Sequence, residues 1–289
     1  MYTIENELLK ITINPKGAEL SSIFHKQYKL EYLWQADPAY WAKKSPVLFP
    51  IVGTLKQNTY YFNNKAYHLS RHGFARDRSF IVSQQQEDAI TFALTSDMES
   101  LEIYPFVFEF LIHYQLQDNR VLVTYEVVNP ASEDLYFSVG GHPAFNVPLV
   151  PDTTYEDYFL QFEKTEMLNV WPITADGLIE DRPEPFLGET DALPLKKSLF
   201  YKDALVFKHL QSSRISLLSA KTEHGLEMAF EGFPFFGIWG AKDANFVCLE
   251  PWCGIADPVS TNQQLPYKEG IIKLSTQSRW KQNWQLTLF

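Results

Sequence analysis

The stretch Phe106-Val107-Phe108-Glu109-Phe110-Leu111-Ile112-His113-Tyr114-Gln115-Leu116 alternates with a period of two. Phe106, Phe108, Phe110, Ile112, Tyr114 and Leu116 share one parity, while Glu109, His113 and Gln115 fall on the other. Successive side chains of a strand point to opposite faces, so this is the pattern of a strand with one buried face. Gln117-Asp118-Asn119 supplies a turn, and Val121, Val123, Tyr125 and Val127 then resume the alternation against more polar neighbours. Two long strands joined by a tight turn predict an antiparallel pair.

The same period recurs on both sides of this hairpin. Leu9, Ile11 and Ile13 alternate with Lys10, Thr12 and Asn14; Pro15-Lys16-Gly17 closes that strand, and an extended run resumes from Ala18 to Phe24. Tyr60 to Leu69 reads as a hairpin turning at Asn63-Asn64, because asparagine tolerates positive φ. Leu226, Met228 and Phe230 bracket polar positions, and Trp280, Trp284, Leu286 and Leu288 share a face near the end. Asp37-Pro38-Ala39-Tyr40-Trp41 fits a single helical turn capped by Asp37. Pro46 and Pro50 bracket Val47-Leu48-Phe49, which marks an edge strand or buried loop. The region from about 148 to 200 carries many Pro, Asp and Glu residues and reads as long loops crossing the mouth of a sheet. No helix longer than a few turns and no fixed-period repeat is visible. Many short strands without alternating helices predict an all-β, antiparallel sandwich, with residues 1–289 as a single domain.

Composition bounds what such a sandwich does. Of 289 residues, 45% are hydrophobic and 15% aromatic, enough for a large core. The net charge of −10 argues against a nucleic-acid partner, which requires a basic face. It leaves room for a small phosphorylated ligand. The first residues carry no basic segment followed by an apolar run, so no signal peptide is expected. No stretch approaches the roughly 18 apolar residues of a membrane span. Cys248 and Cys253 match no zinc spacing and read as free thiols, with a single disulfide as the less favoured alternative. A cytoplasmic protein with no membrane association, monomeric or homodimeric, is expected. The chain has no Gly-rich phosphate loop, dinucleotide fingerprint, H-E-x-x-H or G-x-S-x-G, so no cofactor, metal or acyl-enzyme is expected.

Three segments carry candidate chemistry. In Phe246-Val247-Cys248-Leu249-Glu250-Pro251-Trp252, an apolar run delivers a carboxylate beside an aromatic face. Pro251 holds Glu250 extended and lacks an N–H for a strand ladder, so the strand is expected to end there. A carboxylate next to a π face suits a neutral polyhydroxylated ligand, although a surface glutamate in a turn would look the same. His142 precedes Pro143 in Gly140-Gly141-His142-Pro143-Ala144-Phe145, and is likewise held extended. His72 precedes Gly73 in Arg71-His72-Gly73-Phe74-Ala75-Arg76, where glycine lets the backbone approach a ligand.

Taken together, these three segments resemble the aldose 1-epimerases (galactose mutarotase-like proteins), and within them a LacX-like branch. Tyr104-Pro105-Phe106, Lys202-Asp203-Ala204-Leu205-Val206-Phe207 and Phe235-Phe236-Gly237-Ile238-Trp239 extend the likeness along nearly the whole chain. The resemblance implies a large twisted β-sandwich and a cofactor-independent isomerase. It assigns Glu250 as general base, His142 as general acid, and His72 and Asp203 as sugar-binding partners, with Asp203 in a segment that reads as strand. Trp252 and Trp239 are expected to form an apolar wall of the same cleft. One departure stands out: the family's sugar-contacting arginine after the glycine of Pro-x-x-Gly is replaced, after Gly53, by Thr54. Lys56 lies two residues on and in extended backbone would point the same way.

Three functions compete at this level. The first is interconversion of the α and β anomers of a free aldohexose such as galactose or glucose. The second is the same reaction on a hexose phosphate held by Arg71, Arg76 or Lys56. The third is a sugar-binding or sensing protein without turnover.

Overall fold

The alternation around residues 106–127 becomes the centre of a nine-stranded antiparallel sheet. The computed structural model describes residues 1–289. Glu109–Gln117 pairs with Arg120–Val128 across a two-residue turn, with Glu109 opposite Val128 and Gln117 opposite Arg120. Ala89–Thr95 and Ile81–Gln85 extend the sheet on one side. On the other side follow Arg279–Leu288, Thr222–Ala229, Arg214–Ser219, Tyr158–Val170 and Glu184–Pro194. Phe110, Ile112, Tyr114, Val121, Val123, Tyr125 and Val127 are all buried, as their shared parity requires.

A second sheet of six strands packs on the buried face. Its order is Leu205–Lys208, Phe235–Trp239, Phe246–Cys253, Val139–Gly141, Val47–Leu48, with Ala144–Asn146 also paired to Phe246–Cys253. Phe49 stacks on Phe110 with ring centroids 4.3 Å apart, and Phe230 meets Phe236 at 4.3 Å. The layers approach closely at Gly141, where a Cβ would lie 2.8 Å from the Tyr125 hydroxyl. That hydroxyl accepts the Trp284 indole N–H at 3.0 Å, so the contact between the layers is polar as well as tight. Tyr2–Glu5, Leu9–Asn14, Glu19–His25 and Leu30–Glu31 form a four-stranded sheet; the hairpin Thr59–Phe62 with Lys65–His68 and the long-range pair Leu135–Phe137 with Ile272–Leu274 complete the molecule. The architecture is a large twisted antiparallel β-sandwich.

Most local expectations hold. Asn63 and Asn64 turn their hairpin with φ of 50° and 60°. Tyr40 and Trp41 both donate backbone N–H groups to Asp37 O, making the single turn. Val47–Leu48 is a two-residue strand at the edge of its sheet. The only α-helix, Met98–Ile103, is started by a capping box between Asp97 and Ser100. Cys248 and Cys253 are both free and buried.

Two expectations are corrected. The region taken for loops contains the two longest strands, Tyr158–Val170 and Glu184–Pro194. Tyr158, Leu160 and Phe162 do alternate inward, but the strand then runs through exposed Glu163, Lys164 and Thr165. Pairing with Glu184–Pro194 lapses over residues 162–165 and resumes at Glu166 opposite Thr190, and this register shift interrupts the alternation that a sequence reading needs. Nor does the strand carrying Glu250 end at Pro251; Phe246–Cys253 runs through it. Its partners change at this point. Ala144–Asn146 pairs with 246–248, and Val139–Gly141 with 252–253, which leaves a break opposite Glu250 and Pro251. The donor that Pro251 lacks falls in that break.

A buried ion pair secures the loop behind this sheet. Lys268 Nζ donates to Asp257 Oδ1 at 2.7 Å and to Ile255 O at 2.6 Å, while Asp257 Oδ2 accepts the Lys56 backbone N–H at 3.0 Å. Lys268→Ala strands the Asp257 charge in a dry interior and is expected to cost about 3–5 kcal/mol. Urea denaturation measures it; a loss below about 1 kcal/mol would mean that water reaches Asp257.

Candidate active site

The break in the ladder at Glu250 is filled from the facing strand by His142-Pro143, whose own proline also has no N–H to offer. Pro143 O accepts the Leu249 N–H at 3.2 Å, drawing the two segments together. The result sets His142 Nε2 3.3 Å from Glu250 Oε2. Glu250 is 1% exposed and His142 9%.

Around this pair opens a cleft of about 390 Å³, near the small end of the ~300–1,000 Å³ typical of ligand pockets. Arg71, His72, Asp203, Trp239 and Trp252 line it as expected, together with Trp41, Lys43, Arg76 and Lys202. Trp41 stacks on the His142 imidazole with centroids 5.0 Å apart and planes 27° off parallel. Trp239 stands edge-on to both, 5.7 Å from His142 and 5.5 Å from Trp41. Trp252 lies deeper, its ring against Gly140 and Gly237, where added Cβ atoms would come within 2.7 and 2.5 Å of it. Trp41 is the residue that sequence reasoning missed. The one-turn loop that presents it was legible, but the direction in which that loop folds was not.

His72 is clamped by Gly53. Its backbone N–H donates to Gly53 O at 2.9 Å, and its ring Nδ1 accepts the Gly53 N–H at 3.1 Å. The clamp holds His72 at φ +70°, a conformation L-residues seldom adopt and one that clusters at ligand sites. With Nδ1 accepting, the neutral ring carries its proton on Nε2, a donor for a sugar oxygen. Burial, then Arg71, keeps this imidazole neutral, well below its usual range.

Two sequence expectations fail here. Lys56 lies outside the cleft: its Nζ donates to Val259 O at 2.8 Å. Leu55 leads into a short 3₁₀ turn over Lys56–Asn58, with Gln57 at φ +56°, so the two-residue alternation does not extend to Lys56. Thr54 also faces away, its hydroxyl within 2.7 Å of where a Cβ on Gly177 would stand. The guanidinium groups in the cleft are those of Arg71 and Arg76. Asp203 occupies a bend before the strand Leu205–Lys208 rather than the strand itself, where its Oδ1 accepts the Ala204 N–H at 2.7 Å.

The protonation states also differ from a carboxylate facing an imidazolium. Burial pushes the Glu250 carboxyl well above its usual range; Arg71 and the Trp252 indole N–H oppose this without reversing it. Burial, with help from Arg71, takes the His142 imidazole down to about 3. Both shifts favour the uncharged forms, a protonated Glu250 carboxyl beside a neutral His142 imidazole. Glu250 Oε2 meets no hydrogen-bond donor of the protein within bonding geometry, which is uncommon for a buried polar atom. His142, Cys248 and Glu250 also place three donor atoms within 4.8 Å of one another, close enough for one cation. Burial, then Glu250, keeps the Cys248 thiol protonated and so a poor ligand.

A buried histidine–carboxyl pair thus lies in an aromatic-walled cleft on a twisted β-sandwich, and sequence comparison supplies the family. A family model of the aldose 1-epimerases matches residues 1–270, and the chain belongs to that family. It is similar to the chromosomally encoded protein LacX of Lactococcus lactis subsp. lactis, 33% identical over an alignment of 298 positions, gaps included, that covers 99% of this chain and 98% of that one. A galactose mutarotase related enzyme from Lactobacillus acidophilus superposes with a TM-score of 0.93 at 34% identity, covering 100% of this chain and 97% of its own. A galactose mutarotase-like protein from Lactobacillus casei ATCC 334 does so with a TM-score of 0.93 at 31% identity, over the full length of both.

Proposed function

We propose that the protein is an aldose 1-epimerase that interconverts the anomers of an aldohexose by acid–base ring opening, with galactose and glucose as the first substrates to test. The observation that carries this reading is the His142–Glu250 pair, 3.3 Å apart at the base of the cleft. Mutarotation removes a proton from the anomeric hydroxyl and delivers one to the ring oxygen. The ring opens to the aldehyde, the C1–C2 bond rotates, and closure on the other face runs the transfers in reverse. A pair holding a single proton supplies both halves. Sugar hydroxyls entering the cleft hydrogen-bond to the charged forms and favour passage of the proton from Glu250 to His142. Glu250 then takes the anomeric proton while His142 protonates the ring oxygen. His72 Nε2–H and Asp203 hold sugar hydroxyls, and Trp41, Trp239 and Trp252 offer apolar surface to its C–H face.

Polarimetry on freshly dissolved α-galactose and α-glucose, with and without protein, tests the reading. Acceleration of the optical change is expected; sugar binding without acceleration would make this a binding protein. The pH dependence follows from the pair. Activity requires one shared proton, so kcat/KM falls as pH rises through the raised Glu250 value and the acid is lost. It falls again only as pH drops towards about 3, where His142 gains a proton while Glu250 keeps its own. An acidic limb near the ordinary carboxylate value of about 4.3, with the alkaline limb set by His142 losing its proton, would show that the free protein carries the proton on His142 instead.

A further inference from the structure

Cys248 is a buried thiol beside the acid–base pair that the sugar chemistry leaves unused. It stands two residues before Glu250 on the strand Phe246–Cys253, opposite Trp239. Alternate residues of a strand face the same way, so the thiol and the carboxyl share a side. His142 arrives from the facing segment, and one donor atom from each of the three lies within 4.8 Å of the other two. His142 is 9% exposed, Cys248 0% and Glu250 1%. Cys248 sits in an apolar cluster with Trp34, Ala144 and Phe246, against which Trp41 and Trp239 pack, so this side of the group is dry.

Two atoms of the group are unsatisfied. Glu250 Oε2 and His142 Nδ1 are buried without a hydrogen-bond partner, and polar atoms in a dry interior are seldom left so. An imidazole, a carboxylate and a thiolate are the ligand types of zinc, whose tetrahedral bonds of about 2.0–2.3 Å set ligand atoms roughly 3.3–3.8 Å apart. The edge from His142 Nε2 to Glu250 Oε2, 3.3 Å, already has that length, which leaves the thiol as the ligand that draws in. His142 and Glu250 both line the cleft, so the fourth position of such a site opens into it.

We propose that His142, Cys248 and Glu250 form a binding site for a thiophilic divalent cation of the class of Zn²⁺, and that the bound cation silences the acid–base pair. The site stands on this geometry alone; that its occupation stops turnover rests on the epimerase reading. Binding releases the carboxyl proton and the thiol proton to solvent and ties up an imidazole nitrogen. Neither member of the pair then moves a proton. One carboxylate and one thiolate balance the two charges of the ion, as a buried charge requires. Selectivity follows from the thiol. Burial, then Glu250, keeps it protonated, so an ion must bind sulfur strongly to displace that proton. Mg²⁺ and Ca²⁺, which take oxygen ligands, do not.

The experiment titrates the full chain with Co²⁺, read by thiolate-to-metal charge-transfer absorption, and with Zn²⁺ and Mg²⁺, read by calorimetry. One Co²⁺ or Zn²⁺ per chain is expected, with the charge-transfer band present and no binding of Mg²⁺. Cys248→Ala should abolish the band and weaken Zn²⁺ by about tenfold or more. Glu250→Gln, confirmed as folded by circular dichroism, should weaken Zn²⁺ by a similar factor. Cys253→Ala should change neither, because that thiol faces Gly232 O at 3.8 Å. In anomer exchange followed by NMR, Zn²⁺ should stop the wild type and a chelator should restore it. Cys248→Ala should exchange at the wild-type rate without metal and need about tenfold or more Zn²⁺ for equal inhibition. No band, a band that survives Cys248→Ala, or Zn²⁺ binding unmoved in both Cys248→Ala and Glu250→Gln would overturn the site. One-to-one binding with the band in a protein that epimerises no sugar supports the site while the epimerase reading fails. Binding that leaves exchange at its metal-free rate overturns the silencing.

Discussion

Glu250→Gln is expected to slow anomer exchange by roughly 10²-fold or more, with a much smaller change in sugar affinity. The amide keeps the shape of the side chain and its place opposite Gly237 in the ladder. It has no ionisable proton, so the pair loses its shared proton and cannot cycle. The substitution should not harm the fold. A buried carboxyl that burial already holds neutral is replaced by a neutral group of the same size, so thermal stability should stay level or rise slightly. That split, activity lost and stability kept, separates a catalytic role from a structural one. Mutarotation at the wild-type rate in this variant would remove Glu250 from the chemistry and move the sugar-binding reading ahead.

His142→Asn is expected to produce a loss of similar size, again roughly 10²-fold or more. Asparagine keeps a polar group at the break opposite Glu250 but cannot be protonated to deliver to the ring oxygen. The double variant Glu250→Gln, His142→Asn should be little worse than either single one, because removing one member already disables the pair. Losses that multiply would show that the two groups act independently, and one would then have to find its proton partner elsewhere. Stacking on Trp41 contributes to ring placement, so the asparagine variant should also weaken sugar affinity more than the Glu250 change does.

The extent to which this site could be read from sequence differs residue by residue. Glu250, His142 and His72 were legible because each lies beside a residue with a backbone signature: Pro251, Pro143 and Gly73. Their role was legible only through family resemblance, since an isolated histidine or glutamate in a turn carries no chemical mark. Asp203, Trp239 and Trp252 reach the cleft as expected. Lys56 does not, because a 3₁₀ turn intervenes where extended backbone was assumed. Arg71 stood inside a quoted motif, but its place in the cleft depends on the Gly53–His72 clamp, whose ends are 19 residues apart. Trp41 lay in a legible one-turn loop, but nothing in the sequence placed its ring in the cleft.

What the sequence by itself determined is the strand pattern and hence the class of fold. Period-two burial is a local property, written in consecutive residues such as Phe110, Ile112 and Tyr114, and the same holds for the Asn63-Asn64 turn and the Asp37 cap. The strand Tyr158–Val170 escaped because its alternation is interrupted at exposed Glu163, Lys164 and Thr165, and the main-chain pairing that resumes at Glu166 leaves no trace in side-chain order. Tertiary structure alone decided the break in the ladder at Pro251, the aromatic wall of Trp41 and the site of the shared proton. These depend on distances between groups remote in sequence and on how far water is excluded from them. Desolvation and Coulombic coupling act through space, so neither the burial that keeps Glu250 protonated nor the field that Arg71 casts on His142 existed until the sandwich closed.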